Sequence, residues 1–337
     1  MFSYFKKIVG NYKIYLGFIV SFFFLYLTIK QSHFSYKNLN FTDHQFRLFG
    51  LSVLVFLFTI IIQALRSKFI WINSLKDFLK IKMYGSIIIG NFYNCILPSN
   101  LGEGMRAWHF HRKNKVSLSN SISAIVIEKI VDAQLFVPLI IILNIIHTPK
   151  GSDYIMLLLN FILILILITD IFLMALLLSK RLKKYLFFFV PTRGLKKKLY
   201  KIFLFSRYHV YALFQNKWIW IYAPLGYVMF ALNMLQYGLL LKAINVGVPI
   251  MSIYSLLLIS CSMIIFSFLP SAPSSIGVVH YGIFYALCYS ASVFGVKLEI
   301  PLLQKFAMMG ILLHASYFLP ETILGVFFLF RERKWLV

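Results

Sequence analysis

The chain has 337 residues, of which 60% are hydrophobic and only 13% charged, with a mean hydropathy of +0.81. A soluble domain carries about 25% charged residues, so a single water-soluble globule is excluded, as is an intrinsically disordered chain. Lys and Arg number 34 against 10 Asp and Glu, a net charge of +24. On a hydrophobic chain that imbalance points to basic loops at the anionic inner face of a membrane rather than to nucleic acid.

A membrane-crossing helix needs about 20 mainly apolar residues. In chain order, segments 13–29, 48–66, 118–147, 154–179, 218–244 and 302–330 meet this requirement. The first follows Lys6 and Lys7 and ends in Thr28-Ile29-Lys30-Gln31. It lacks a small-residue cleavage site, so it reads as an uncleaved span rather than a signal peptide. Two further apolar stretches, 83–97 and 250–294, are interrupted by Pro, Gly and Ser. The expected fold is an all-α polytopic membrane protein, one integral membrane domain over 1–337. It has about six full spans plus two interrupted re-entrant hairpins, or eight spans.

The basic residues orient these spans. With the N-terminus in the cytoplasm, inside segments hold 26 Lys and Arg and outside segments hold seven, with Lys129 within a span. This is the positive-inside pattern, and it predicts cytoplasmic N- and C-termini in a plasma-membrane protein. The densest cluster, 180–207, contains no acid and reads as a topology determinant and as a surface for anionic inner-leaflet lipids. Cys95, Cys261 and Cys288 lie in apolar stretches without metal-ligand spacing and read as buried small hydrophobes.

Segments 66–82 and 106–115 are both cytoplasmic by charge, so the chain between them must enter the membrane and return. Residues 83–97 are apolar enough to descend, but Pro98-Ser99-Asn100-Leu101-Gly102-Glu103-Gly104-Met105-Arg106 is too polar to face lipid. Such backbone is tolerated only when buried in protein or lining a wet cavity. A second Leu-Pro-Ser stands at Leu269-Pro270-Ser271, 172 residues after the first. It reads either as a hairpin entered from outside or as two short spans. Under the hairpin reading, halves 1–150 and 151–337 form an inverted repeat, with a site where they meet.

With only ten acids, each can be placed. Asp43, Asp77, Asp153, Glu299 and Glu332 fall in loops or near the ends; Glu103, Glu128, Asp132, Asp170 and Glu321 fall within or beside membrane segments. A charge at the bilayer centre costs about 2.5–3.5 kcal/mol even on the lenient insertion scale, so these groups should turn inward and pair. Glu103 and Arg106, three apart, can share a helical face. Glu128 and Asp132, four apart, call for a cation such as Arg106 or Lys129, or a cationic head group.

Structural alternatives stand beside these roles. Asn100 and Glu103 also fit a capping box. Glu321 follows Pro320 and reads as a first-turn carboxylate. His280 and His314 fit satisfied core histidines, and Asp170 a mid-span hydrogen bond. Helices are expected to restart near Asn100 and Ser274. Their unpaired N–H groups, together with Arg106, would form a phosphate-sized anion site.

These spaced residues resemble the lysylphosphatidylglycerol synthase transmembrane-region family, the flippase-like domain proteins. The blocks are Asn94-x-x-Leu97-Pro98-x(3)-Gly102-Glu103-x-x-Arg106, Glu128-Lys129-x-x-Asp132, Pro270-x-x-Pro273-x(3)-Gly277-x-x-His280 and His314-x(5)-Pro320-x-x-Ile323-Leu324-Gly325. Lys129 stands where many relatives have Arg, Ser274-Ser275 where a Gly pair is commoner, and His280 where some carry Glu. The resemblance implies a polytopic protein associated with lipid translocation. In its best-known members the domain precedes a soluble aminoacyl-transferase; this chain ends at Val337, and no such domain is expected in it.

The expected function is a translocase or transporter of a phosphate-headed lipid, either a phospholipid or a polyprenyl-linked precursor. The substrate-binding residues would be Asn94, Ser99, Asn100, Gly102, Glu103, Arg106, Glu128, Lys129, Asp132, Ser274, Ser275, Gly277, His280 and His314. No metal, cofactor or catalytic residue is expected, and no ATP-binding Gly-rich loop is visible. Expected partners are membrane lipids and a lipid-modifying enzyme or glycosyltransferase, not nucleic acid. The rivals are a membrane-embedded transferase acting on lipid-linked sugars and a non-catalytic subunit of a cell-envelope complex.

Overall fold

A computed structural model describes residues 12–34, 42–71, 81–98, 101–146, 219–267 and 269–331, with short runs between 157 and 200. Every regular element among the described residues is helical. Helix α1 is Tyr12–Ser32 and α2 is Asp43–Lys68. Helix α2 opens on a capping box: the Gln45 N–H donates to Thr42 Oγ1 (3.4 Å) and the Thr42 N–H to Gln45 Oε1 (2.8 Å). Two 13-residue helices follow, α3 (Tyr84–Ile96) and α4 (Gly102–Asn114), and then the long α5 (Leu118–Ile146). The second part contains α6 (Ile219–Ala243), α7 (Ile253–Ser267), a 3₁₀ turn at Pro273–Ser275, α8 (Val278–Val293) and α9 (Ile300–Arg331).

Among the described residues, five stretches are long and apolar enough to cross a membrane: Tyr15–Ser32, Asp43–Lys68, Trp220–Ala243, Pro273–Val293 and Ile300–Arg331. Their large apolar side chains point outward, among them Ile19, Phe22, Leu54 and Ile323. Helix α5 matches the expected 118–147 segment in extent, but carries Glu128, Lys129 and Asp132. Of the expected span 154–179 the described residues are 157, 160, 161, 163–169 and 171, all helical, while Asp170 and all of the basic cluster 180–207 except Tyr200 lie outside the described residues. The chain is an all-α, multi-pass membrane protein.

Helix α3 packs on α4, and α7 packs on α8, so each polar break sits at the tip of a helical pair. Helix α9 packs against both α3 and α8, and the Pro273–Ser275 turn lies against α3; the two breaks are therefore neighbours. Between helices in lipid there is little hydrophobic drive, and small residues allow close backbone approach instead. A Cβ at Gly90 would stand 2.7 Å from Arg106 Cβ, and one at Gly102 would collide with the Gly90 carbonyl and with Asn94. One at Gly325 would strike the Phe92 ring. The largest apolar core joins α5 to α9, with Leu143, Leu240, Ile259, Leu287 and Phe306 wholly buried.

Three local expectations change. Helix α8 begins at Val278, not Ser274, because Ser274 (φ 57°), Ser275 (φ 54°) and Gly277 (φ 83°) are all left-handed and cannot continue a helix. Pro320 opens no helix: it lies inside the 32-residue α9, so Glu321 is a mid-helix carboxylate. Helix α4 begins at Gly102 with Leu101, not Asn100, at its cap position, and Glu103 pairs with Arg106 and Lys129. Ser99 and Asn100 lie outside the described residues.

Candidate functional site

The base of α4 brings Arg106 against α5 and the C-terminal end of α2. One N–H of Arg106 Nη2 meets Glu128 Oε2 at 2.5 Å and the other meets Ser67 Oγ at 3.0 Å. Ser67 in turn donates to Glu128 Oε1 (2.9 Å), closing a three-membered ring of buried polar groups. On its other arm, Arg106 Nη1 reaches Glu103 Oε2 at 3.3 Å, and Glu103 Oε1 accepts from Lys129 Nζ at 2.8 Å. A third cation enters from α2: Arg66 Nη1 holds Asp132 Oδ1 at 2.5 Å. Thus, among the described residues, Glu103, Glu128 and Asp132 are matched by Arg66, Arg106 and Lys129, and the charges balance.

The network is closed at its heart and open at one edge. The Arg106 and Glu128 side chains are each 4% exposed, whereas Asp132 is 30% and Lys129 54% exposed. Glu128 and Asp132 share a face of α5 one turn apart, and Lys129 is turned about 100° from Glu128, where it meets Glu103 of α4. The buried pair at the heart of the network resists removal of either Arg106 or Glu128, because an unpaired buried charge costs about 3–5 kcal/mol.

Asn94 sets the geometry of the first break. Its Oδ1 accepts the Gly102 N–H at 2.7 Å, so α3 caps the first turn of α4 and fixes Glu103 and Arg106 over the network. At the second break, the Gly277 N–H donates to His280 Nδ1 (3.2 Å), an internal cap for α8. Helix α1 braces the same turn, since Ser21 Oγ accepts the Ala272 N–H at 2.8 Å. Both helix starts thus have N–H groups already engaged, which narrows the expected anion site.

Ser274 Oγ and His314 Nε2 lie 3.1 Å apart, the His280 and His314 rings are 4.9 Å between centroids, and Ser275 Oγ pairs with Ser271 Oγ at 3.0 Å. His280 therefore fits a satisfied core histidine, whereas His314 Nδ1 is buried without a hydrogen-bond partner among the described residues. Nearby, the Cys95 thiol donates to Glu321 Oε2 at 3.2 Å, tying α3 to α9. The residues expected at the site thus fall into two clusters. One holds Asn94, Gly102, Glu103, Arg106, Glu128, Lys129 and Asp132; the other holds Ser274, Ser275, Gly277, His280 and His314. Among the described residues no group of three His, Cys, Asp or Glu gathers as metal ligands would.

Sequence reasoning missed Arg66, Ser67 and Tyr222. Arg66 sits over the Tyr222 ring, its Cζ 4.1 Å from the centroid, and its Nε donates to the Tyr222 carbonyl at 3.3 Å. Arg66 Nη2 and the Tyr222 hydroxyl are both buried and have no hydrogen-bond partner among the described residues, a condition that costs about 1–3 kcal/mol per group. A run of apolar residues ending in Gln63-Ala64-Leu65-Arg66-Ser67 was the available signal, a base within a turn of a span.

No curated protein and no solved structure matches the chain. Residues 14–299 match the family model described as the lysylphosphatidylglycerol synthase TM region, which takes in both helical pairs and the whole charge network. The chain belongs to that family of membrane proteins concerned with lipids.

Proposed function

We propose that the chain is a flippase-like translocase that moves a phosphate-headed lipid across the plasma membrane. The observation that carries this reading is the balanced network around Arg106. Six charged side chains at the meeting of three helices are costly in a membrane, and such groups usually mark a substrate or ion pathway. Guanidinium binds phosphate and carboxylate with the same fork, so a lipid phosphate can replace Glu128 on Arg106 with little loss. Glu128 then needs another cation, which an amine on the head group or a proton supplies. An aminoacylated head would satisfy both halves of the exchange within one molecule.

In this reading the α3/α4 pair is a hairpin opening to the cytoplasm and α7/α8 its inverted counterpart opening outward. The neighbouring breaks support that arrangement, because discontinuous helices meeting at a repeat interface are how several transporter folds build a site. The N- and C-termini would be cytoplasmic, with the basic 180–207 segment on anionic inner-leaflet lipid. A lipid-modifying enzyme or glycosyltransferase would supply the cargo.

The test is reconstitution in liposomes with labelled phosphatidylglycerol, its lysyl form and a polyprenyl phosphate, following head-group accessibility from outside. Faster transfer of any of the three than in protein-free vesicles supports translocation. With folded protein and no transfer, the reading fails. Cysteine labelling that puts Leu101 or Met105 outside would refute the hairpin topology.

A further inference from the structure

The unpartnered donors of Arg66 and Tyr222 form a unit outside the Arg106 ring. Arg66 is 3% exposed and Tyr222 1%. Of the five N–H donors of Arg66, Nε is engaged by the Tyr222 carbonyl and Nη1 by Asp132, while Nη2 meets no acceptor among the described residues. The Tyr222 hydroxyl, on the ring beneath the guanidinium, is also without a hydrogen-bond partner among the described residues. One turn further along α6, Gly226 leaves the guanidinium room, since a Cβ there would lie 3.3 Å from Arg66 Cζ and collide with Leu135. The planar group is therefore held by the ring, by a bare backbone and by Asp132, with its buried Nη2 lacking an acceptor among the described residues.

We propose that Arg66 and Tyr222 form a second anion subsite, taking one oxygen of a phosphate group. The chemistry favours an oxyanion because guanidinium donates and never accepts, and the neighbouring phenol has a donor to offer. Arg106 differs: Glu103, Glu128 and Ser67 already occupy both its terminal nitrogens. Arg66 reaches the open edge through Asp132, 30% exposed, much as Arg106 does through Glu103, 25% exposed, so what separates them is the unengaged Nη2 of Arg66. A phosphate arriving from that edge meets Arg66 without breaking an ion pair, and reaches Arg106 only by displacing a carboxylate. The assignment deepens the head-group reading, and rests on it for the lipid but not for the anion.

Binding to the full chain in detergent tests it, with short-chain phosphatidylglycerol, inorganic phosphate and the matching phosphate-free diacylglycerol as probes. Tyr222→Phe removes one hydroxyl and keeps the ring; it should weaken the phosphate-bearing probe about fivefold, the worth of one hydrogen bond. Arg66→Lys keeps the charge and loses the fork, and should weaken it about tenfold. Diacylglycerol binding should be unchanged in both. Sensitivity with phosphatidylglycerol identifies a lipid head group, and sensitivity confined to inorganic phosphate identifies a free anion. If Arg66→Lys does not fold, Tyr222→Phe alone decides. Unchanged affinity for both phosphate probes means that these donors hold only water, and overturns the proposal. Variant-sensitive binding without transbilayer movement by the parent would remove the translocase reading and leave the subsite standing. Movement with variant-insensitive binding would do the reverse.

Discussion

Arg106 and Glu128, from adjacent helices, face each other at 2.5 Å, and Ser67 bridges them from a third. The pair joins the polar start of α4 to the middle of α5, so it serves both fold and site. Arg106→Gln alone strands Glu128, and Glu128→Gln alone strands Arg106; each should cost about 3–5 kcal/mol of stability. The double variant should recover part of that loss, with a coupling energy of about 1–3 kcal/mol, read by thermal unfolding in detergent. Strict additivity would mean that the two groups do not interact.

Asn94 is predicted to act through the backbone. Asn94→Ala removes the acceptor for the Gly102 N–H and should destabilise the protein by about 1 kcal/mol, whereas Asn94→Asp retains an acceptor and should lose less. Comparing the unfolding midpoints of the two variants checks this.

Gly102→Ala is predicted to be worse, because its Cβ would collide with the Gly90 carbonyl and the Asn94 side chain and force α3 from α4. The expected loss is about 1–3 kcal/mol, the usual range for overpacking. Gly104→Ala, where a Cβ meets nothing within 4 Å, should be near neutral under the same unfolding assay.

Much of this arrangement was legible in local spacing. Glu103 and Arg106 share a face because they are three apart, and the demand of Glu128 for a cation follows from its place in an apolar segment. Asp132 was harder. Its partner Arg66 lies 66 residues away in a basic run whose bias already had an explanation in membrane topology. Tyr222, 156 residues from Arg66, looked like one more aromatic in a span. The restart of α8 was misjudged because the proline spacing carries no information on φ, and Ser does not announce a left-handed backbone as Gly does. Pro320 misled in the opposite sense, since membrane helices accommodate internal proline when neighbours satisfy the freed carbonyl.

The left-handed serines yield a further prediction. Ser275 at φ 54° adopts a conformation that costs about 1–2 kcal/mol for an L-residue, and its Oγ hydrogen bond to Ser271 offsets part of that. Ser275→Gly loses the bond and relieves the strain, while Ser275→Ala loses the bond and keeps it. The glycine variant should therefore be the more stable of the two by about 1 kcal/mol in parallel melts. The reverse order would mean that this turn has a different backbone in the folded protein.

The exchange of Glu128 for a lipid phosphate on Arg106 is tested most directly by the initial rate of phosphatidylglycerol transfer in vesicles carrying the parent or Arg106→Lys. Lysine keeps the charge but cannot hold two acceptors in a planar fork. The expected result is transfer by the parent well above the protein-free rate, cut about tenfold in Arg106→Lys, the kinetic equivalent of about 1.4 kcal/mol. Equal rates for a folded Arg106→Lys and the parent would contradict it.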